Sequence, residues 1–487
     1  SQILACGHSS VIKRDFCRLF AAALYCKGEL KRCIDYLLIS LDIPASADIP
    51  PSESHSNSKI DTGDKSFPHS VDIYSLQRLL KDDHQIIGFI DLSSDNLHFK
   101  TEKNFYYIFY FKISKSNFEV KRFEDKRLLN INSNIIKIRS EISQSTKRLE
   151  KDQVQNYVYR LNESLDDNIR DFESILIENR IFISHTMDKS HEGFKNKILS
   201  DIDPIISQEV APILSHIIAN YHRMDGHILT KILSKYFSDC QLKEIRDYMK
   251  SKDLFSVSKL RSDHTHLFIS SHLLYFPFES ISTLRYQQCS RYISPNHFIN
   301  CMKNKKFEIG DLYYLINPDG TLEKCQKRIT DFLKNINTSI ALKGHTGRLM
   351  DSDEINLNNE LQKNQYFVYC GHGDGQRYLR KPVDFSHIKD ITASMFLFGC
   401  SSLYCEPVSY FDAYGLVINL IRKNCPLLGG FLWHIFDRDS DLFTIKLLKS
   451  ILEGDSKSVY DACLQAKSSD NYKCLNTASF VIYGYLF

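Results

Sequence analysis

From residue 265 onward, short apolar runs alternate with amphipathic stretches, and this alternation restricts the fold more than any other feature of the 487-residue chain. Residues 267–270, 312–316, 367–370, 395–398 and 427–433 read as strands, being short and rich in aliphatic and aromatic side chains. Between them, 322–336, 410–423 and 439–452 carry apolar residues at helical spacing. Strands separated by helices form a mainly parallel sheet with helices on both faces, so the expected fold class is α/β.

The upstream half has a different texture. In 1–43, Phe16, Leu19, Phe20 and Leu24, then Leu30, Cys33, Ile34 and Leu37, predict two helices parted near Gly28. Residues 44–70, including Pro50-Pro51-Ser52-Glu53-Ser54, lack apolar periodicity and read as a linker. Within 71–264, residues 86–90 and 105–111 favour strands. A long helical hairpin is expected over about 125–190, carried by Ile135, Ile138, Ile142, Leu161, Leu165 and Ile169, with more helix between Pro204 and Lys250. The remaining unit is 265–487.

A net charge of +3 and a pI near 8.1 are too mild to predict a nucleic-acid partner. No apolar run approaches the roughly 18 residues of a membrane span, so none is expected. The 14 cysteines form no Cys-x-x-Cys pair and no secretory signal opens the chain, which predicts free thiols and a nuclear and cytoplasmic protein.

Two strand ends carry the chemistry. One apolar run ends in Cys370-Gly371-His372-Gly373-Asp374-Gly375, the other in Phe398-Gly399-Cys400-Ser401-Ser402, with Cys400 standing 28 residues after His372. That interval holds one crossover, so the strands can be parallel neighbours with both side chains at the same sheet edge. A thiol is only slightly ionised near neutrality, and an adjacent imidazole can take its proton. Cys400 is then the candidate nucleophile and His372 its base. The amides of Gly373 and Cys400 are the candidate oxyanion donors. The competing reading of each residue is plain: a cysteine ending an apolar strand is usually core, and a histidine between glycines is often only loop.

These His-Gly and Gly-Cys elements resemble those of caspase-fold peptidases, and a longer ordered series resembles the separase family. Phe276-Pro277-Phe278-Glu279-Ser280 is similar to its Pro-Trp-Glu-Ser segment, with Phe278 in place of Trp. Asn317-Pro318-Asp319-Gly320 with Gln326-Lys327, then Gly344-His345-Thr346-Gly347-Arg348, resemble two more. Trp433 through Asp441 and Ser479 through Gly484 complete the set, covering about 267–487. The chain departs from the pattern at Asp374, Leu403 and His434. The resemblance implies a caspase-like protease domain preceded by a pseudo-protease or substrate-supporting domain. It also implies a cysteine endopeptidase that cuts the kleisin subunit of cohesin after Arg in Glu-x-x-Arg sites, a securin-like inhibitory partner, and no cofactor. Rival readings are a non-catalytic scaffold binding cohesin or securin, and a caspase-like peptidase with another substrate.

A buried arginine side chain of a substrate needs a carboxylate partner. Asp437, Asp439 and Asp441 follow the strand ending in Trp433, and the resemblance favours Asp441 as the reader, then Asp439. One of the three can equally serve a helix N-terminus, and Trp433 can either wall the pocket or pack the core. Glu119-Val120-Lys121-Arg122 and Glu124-Asp125-Lys126-Arg127 fit the Glu-x-x-Arg pattern, which makes Arg122 and Arg127 candidate self-cleavage positions, although a charged run is ordinarily a solvated face. His264-Thr265-His266 lacks a matching ligand pair in the sequence, so a solvated loop is expected and no metal.

Overall fold

The computed structural model describes residues 10–42, 71–93, 106–148, 151–183, 210–220, 226–239, 242–243, 247, 264–285, 287–304, 310–350, 356–375, 377–378, 390–408, 411–467 and 474–486. Helices α1 (Ser10–Cys26) and α2 (Leu30–Asp42) pair around Gly28. The expected linker at 44–70 lies outside the described residues. Next come α3 (Ile73–Leu79), β1 (His84–Ser93), β2 (Tyr106–Ser114), β3 (Phe118–Phe123) and the hairpin helices α4 (Lys126–Arg148) and α5 (Lys151–Glu178). Two shorter helices follow, α6 (Ala211–Asn220) and α7 (Gly226–Leu233).

The second half runs β4 (His264–Ile269), β5 (Gln288–Tyr292), α8 (Pro295–Asn304), β6 (Leu312–Ile316), α9 (Glu323–Asn335), β7 (Leu342–Thr346), α10 (Leu357–Lys363), β8 (Tyr366–Cys370) and β9 (Ser394–Leu397). It continues through β10 (Glu406–Val408), β11 (Phe411–Tyr414), α11 (Leu416–Arg422), β12 (Leu427–Phe431), α12 (Asp437–Leu452), α13 (Val459–Lys467), α14 (Cys474–Thr477) and β13 (Phe480–Gly484).

Eleven strands form one sheet, in the order β3-β2-β1-β4-β5-β13-β12-β9-β8-β6-β7. It is continuous across residue 264, because β4 pairs in parallel with β1 from His84↔His264 to Phe89↔Ile269. The pairs β6–β7, β6–β8, β8–β9, β9–β12 and β4–β5 are parallel, whereas β12–β13, β1–β2 and β2–β3 are antiparallel. The mainly parallel α/β sheet flanked by helices is therefore present.

Strand periodicity sorts the core into two layers. Ile87, Phe89, Phe367, Tyr369, Met395 and Leu397 face one way, where α4, α5 and α11 cover them. Ile86, Ile90, Tyr366, Val368, Cys370, Phe396 and Phe398 face the other, under α1, α2, α9, α12 and α13. The hairpin thus lies against the sheet. Asn162 on α5 accepts from the Leu475 amide at 2.9 Å, and Arg139 on α4 stacks over the Tyr404 ring.

Two local expectations change, and the charged run gains an element. The helix expected over 410–423 begins only at Leu416, because β10 and β11 form a separate antiparallel pair in a stretch rich in aromatic strand formers. The charged run at 119–122 belongs to β3, an edge strand pinned to β2 with Arg122 opposite Phe109. His264-Thr265-His266 is a fully buried strand and not a solvated loop.

These imidazoles tolerate burial because they bond one another and nearby hydroxyls. His84 Nδ1 lies 3.0 Å from His266 Nε2, His264 Nε2 2.8 Å from Ser290 Oγ, and His266 Nδ1 3.1 Å from Tyr292 OH. Among the described residues, no three His, Cys, Asp or Glu side chains are placed to hold a metal ion. Burial lowers the His84 pKa to about 4 and holds His266 well below the usual range, each against an unfolded value near ~6.5. A lowered imidazole is neutral in the fold and charged in the unfolded chain. Its contribution is complete above pH ~6.5 and lost as pH falls toward about 4. His84 alone should remove roughly 2 kcal/mol between pH 6.5 and 5. Urea denaturation at the two pH values reads this directly, and equal stability at both would contradict a neutral cluster.

Candidate active site

The site forms where β8 and β9 end side by side. Their parallel register runs from Tyr366↔Ser394 to Tyr369↔Leu397, and Phe398 N–H continues it by donating to Tyr369 O at 2.7 Å. Beyond it the two turns touch. A Cβ at position 399 would collide with the carbonyl oxygens of Gly373 and Gly371, so only glycine lets the cysteine turn seat against the histidine turn. Gly373 itself has φ +61°, in the left-handed region. The two candidate side chains therefore extend from turns in direct backbone contact.

The cysteine turn is held from both sides. Ser401 has φ +55°, unusual for a residue with a side chain, and its N–H donates to Trp433 O at 3.1 Å. Ser402 Oγ donates to Leu397 O at 2.5 Å and accepts from Phe431 N–H at 3.0 Å, tying the turn to β9 and β12. The Cys400 thiol donates to Ile435 O at 3.2 Å. Burial pushes this thiol up; a backbone hydrogen bond at Ile435 acts the other way, and the Asp437 charge adds to the rise. At rest it is a thiol and not a thiolate, so reaction requires a base.

His372 is exposed, with its carbonyl accepting from Tyr369 OH at 2.7 Å. Its Nε2 lies 2.9 Å from Thr321 Oγ1. Thr321 comes from the turn between β6 and α9, which Asn317 fastens to the end of β8. Asn317 has φ +52°, its N–H donates to Cys370 O at 2.7 Å, its Oδ1 accepts from Leu322 N–H at 2.8 Å, and its Nδ2 donates to Gln326 Oε1 at 2.9 Å. With Nε2 engaged, Nδ1 has no hydrogen-bond partner among the described residues. Among the described residues, the amides of Gly373 and Cys400 donate to no other group, which leaves both for an oxyanion.

The three aspartates separate by helical geometry. Asp437 and Asp441 are one turn apart on α12 and share a face, while Asp439 points aside and accepts from Asn476 Nδ2 at 2.7 Å. Asp437 is exposed in the first turn, near enough for its charge to act on the Cys400 thiol. Asp441 is buried and paired to Arg328 of α9. Burial pushes its carboxyl up despite the contacts from the Cys325 thiol and the Arg328 guanidinium. Trp433 packs the core and does not wall an open pocket. It is 2% exposed, and its indole N–H donates to Leu475 O at 2.9 Å. Leu403 is likewise buried. Arg122 lies in β3 and Arg127 in the first turn of α4, ion-paired to Asp125 and Glu178, so cutting after either would require that element to open first. Sequence reasoning passed over Thr321 and Arg328, and the Asn-Pro-Asp-Gly turn that presents Thr321 was the available signal.

The family model for the separin protease domain matches residues 94–440, more than half of the chain. Separins of Saccharomyces cerevisiae, Schizosaccharomyces pombe and Mus musculus are 28%, 28% and 27% identical over 50%, 47% and 46% of this chain. The matches span only 15%, 13% and 11% of those relatives' own length. Among solved structures, a Saccharomyces cerevisiae separase–securin complex superposes over 84% of this chain and 30% of its own, with a TM-score of 0.62 at 18% identity, showing the same fold.

Proposed function

Because the chain belongs to the separin protease-domain family, we propose that it is a cysteine endopeptidase with Cys400 as nucleophile and His372 as base. Its inferred cut lies after Arg in Glu-x-x-Arg sites of the kleisin subunit of cohesin, releasing sister chromatids. The observation that carries this reading is the contact between the glycine-lined turns bearing His372 and Cys400. The relatives with securin bound motivate a securin-like inhibitory partner lying in the same cleft, and the biology fits a nuclear and cytoplasmic protein.

The chemistry follows from the hydrogen bonds around the dyad. His372 carries its proton on Nε2, donated to Thr321 Oγ1, and offers the Nδ1 lone pair. The Cys400 thiol turns from Ile435 O to Nδ1, gives up its proton, and the sulfur attacks the scissile carbonyl carbon. Charge gathers on the carbonyl oxygen between the Gly373 and Cys400 amides. The imidazolium returns its proton to the departing amine as the C–N bond breaks. Water, deprotonated by His372, then attacks the thioester and frees the acid and the thiol. Asp441 would hold the substrate arginine in this scheme.

The test is cleavage of peptides bearing Glu-x-x-Arg or Asp at the cut position, with wild type and Cys400→Ser. Cutting after Arg by the wild type alone supports the reading. Cutting after Asp points to a caspase-like peptidase with another substrate. No cutting, and no labelling of Cys400 by an arginine-directed acyloxymethyl ketone, leaves a non-catalytic scaffold. Thr321 has its own prediction as a positioning residue. Thr321→Val should lower kcat roughly 5- to 10-fold, the worth of one neutral hydrogen bond, and move the acid limb of the kcat/KM profile. Thr321→Ser should restore both, whereas an unmoved profile in the valine variant would remove Thr321 from the mechanism.

A further inference from the structure

Arg328 sits in α9 with its guanidinium turned toward α12. Nε donates to Asp441 Oδ2 at 2.6 Å, and Nη2 contacts the same oxygen. The pair is lopsided: the Arg328 side chain is 33% exposed, that of Asp441 only 5%. Cys325, one turn before Arg328 on α9, also reaches the Asp441 carboxylate. Asp437, one turn before Asp441 on α12, adds a second negative charge nearby.

We propose that Arg328 is a resident occupant of the arginine-reading carboxylate, a built-in guanidinium that must swing into solvent before a substrate arginine can enter. The proposal rests on the preceding reading of Asp441 as the arginine reader. Three physical points carry it. A buried carboxylate already contacted by Nε and Nη2 of one arginine has no full face left for a second planar fork. A guanidinium one-third exposed can leave for water with little desolvation change, so the exchange is feasible without unfolding α9. Without a resident cation, Asp441 would be an unpaired buried carboxylate beside Asp437, so the site draws in a guanidinium, whether its own or a substrate's. The arrangement makes occupancy competitive, since substrate binding gains only the difference between its own arginine and Arg328. The Thr321 turn that contacts His372 leads directly into the helix bearing Arg328, so a shift of α9 on arginine entry would reach the base.

The test compares the 487-residue wild type with Arg328→Gln and Asp441→Asn, using Glu-x-x-Arg peptides and, separately, benzamidine as a small amidinium probe. In Arg328→Gln, KM for arginine peptides should fall about tenfold, with the change carried by KM and not kcat, and benzamidine should bind about tenfold tighter by calorimetry. Asp441→Asn should lose both the arginine preference and benzamidine binding. Equal benzamidine affinity in wild type and Arg328→Gln, or weaker affinity in the variant, overturns resident occupancy. The two readings fail separately: no peptide cleavage by either protein sinks the peptidase assignment, while benzamidine binding still decides the role of Arg328.

Discussion

Exchanging Cys400 for serine should lower kcat/KM on an arginine peptide by at least ~10³-fold while moving the melting temperature by less than about 2 °C. The size follows from acidity. Burial already pushes the Cys400 thiol above its usual range, so in the proposed mechanism it depends on His372 to take its proton. A serine hydroxyl is far harder to deprotonate, and the group that meets His372 Nε2 is the neutral Thr321 hydroxyl. Stability should hold because serine preserves the shape and can still donate to Ile435 O. Alkylation of Cys400 by iodoacetamide supplies the independent reading. The rate should climb as pH passes above the ordinary thiol range, and His372→Ala should slow it at pH 7. A serine variant retaining more than a tenth of wild-type cleavage would place the nucleophile elsewhere.

The meeting of the His372 and Cys400 turns at one sheet edge was legible because it depends on short-range signals. Two apolar strands end in glycine-flanked Cys and His, and one crossover separates them, so β8 and β9 become parallel neighbours with their ends together. What decides the environment of the dyad is long-range and has no local signature. Nothing in the sequence around Thr321 or Arg328 says that the β6–α9 turn will deliver one to His372 and α9 the other to Asp441, 51 and 113 residues away. The different surroundings of the three aspartates come from α12, where Asp437 and Asp441 share a face and Asp439 turns to Asn476. Buried polarity also misleads pattern reading. Histidines at 264 and 266 count as hydrophilic in a window, yet cross-strand hydrogen bonds to His84, Ser290 and Tyr292 let them fill a sheet interior. Gln288-Cys289-Ser290-Arg291-Tyr292 concealed β5 in the same way.

Arg291 in that hidden strand supports the second large prediction. Glu279→Ala should lower the free energy of unfolding by roughly 3–5 kcal/mol, read by urea denaturation at pH 7.5. Arg291 is fully buried. Its Nε donates to Glu279 Oε1 at 2.6 Å and its Nη2 to Oε2 at 2.7 Å, a two-pronged pair. Burial would raise the Glu279 carboxyl, but the Arg291 guanidinium outweighs it and holds the group below its usual range, so the pair is ionised at neutral pH. Truncating Glu279 leaves a guanidinium inside the fold with no counter-charge, and that uncompensated charge is the larger part of the loss. Arg291→Met in the same background should not restore full stability. Arg291 also caps the carbonyls of Leu274 and Phe276, which the double variant would leave buried without a donor. The Glu-Ser segment that resembles a protease-family motif thus acts at a distance from the dyad. It fixes the turn after β4 to β5, and the Phe278 ring beside it stacks on Phe89 of β1 at 4.6 Å. A Glu279→Ala protein within 1 kcal/mol of wild type would show that the buried pair is neutral or relaxes into water.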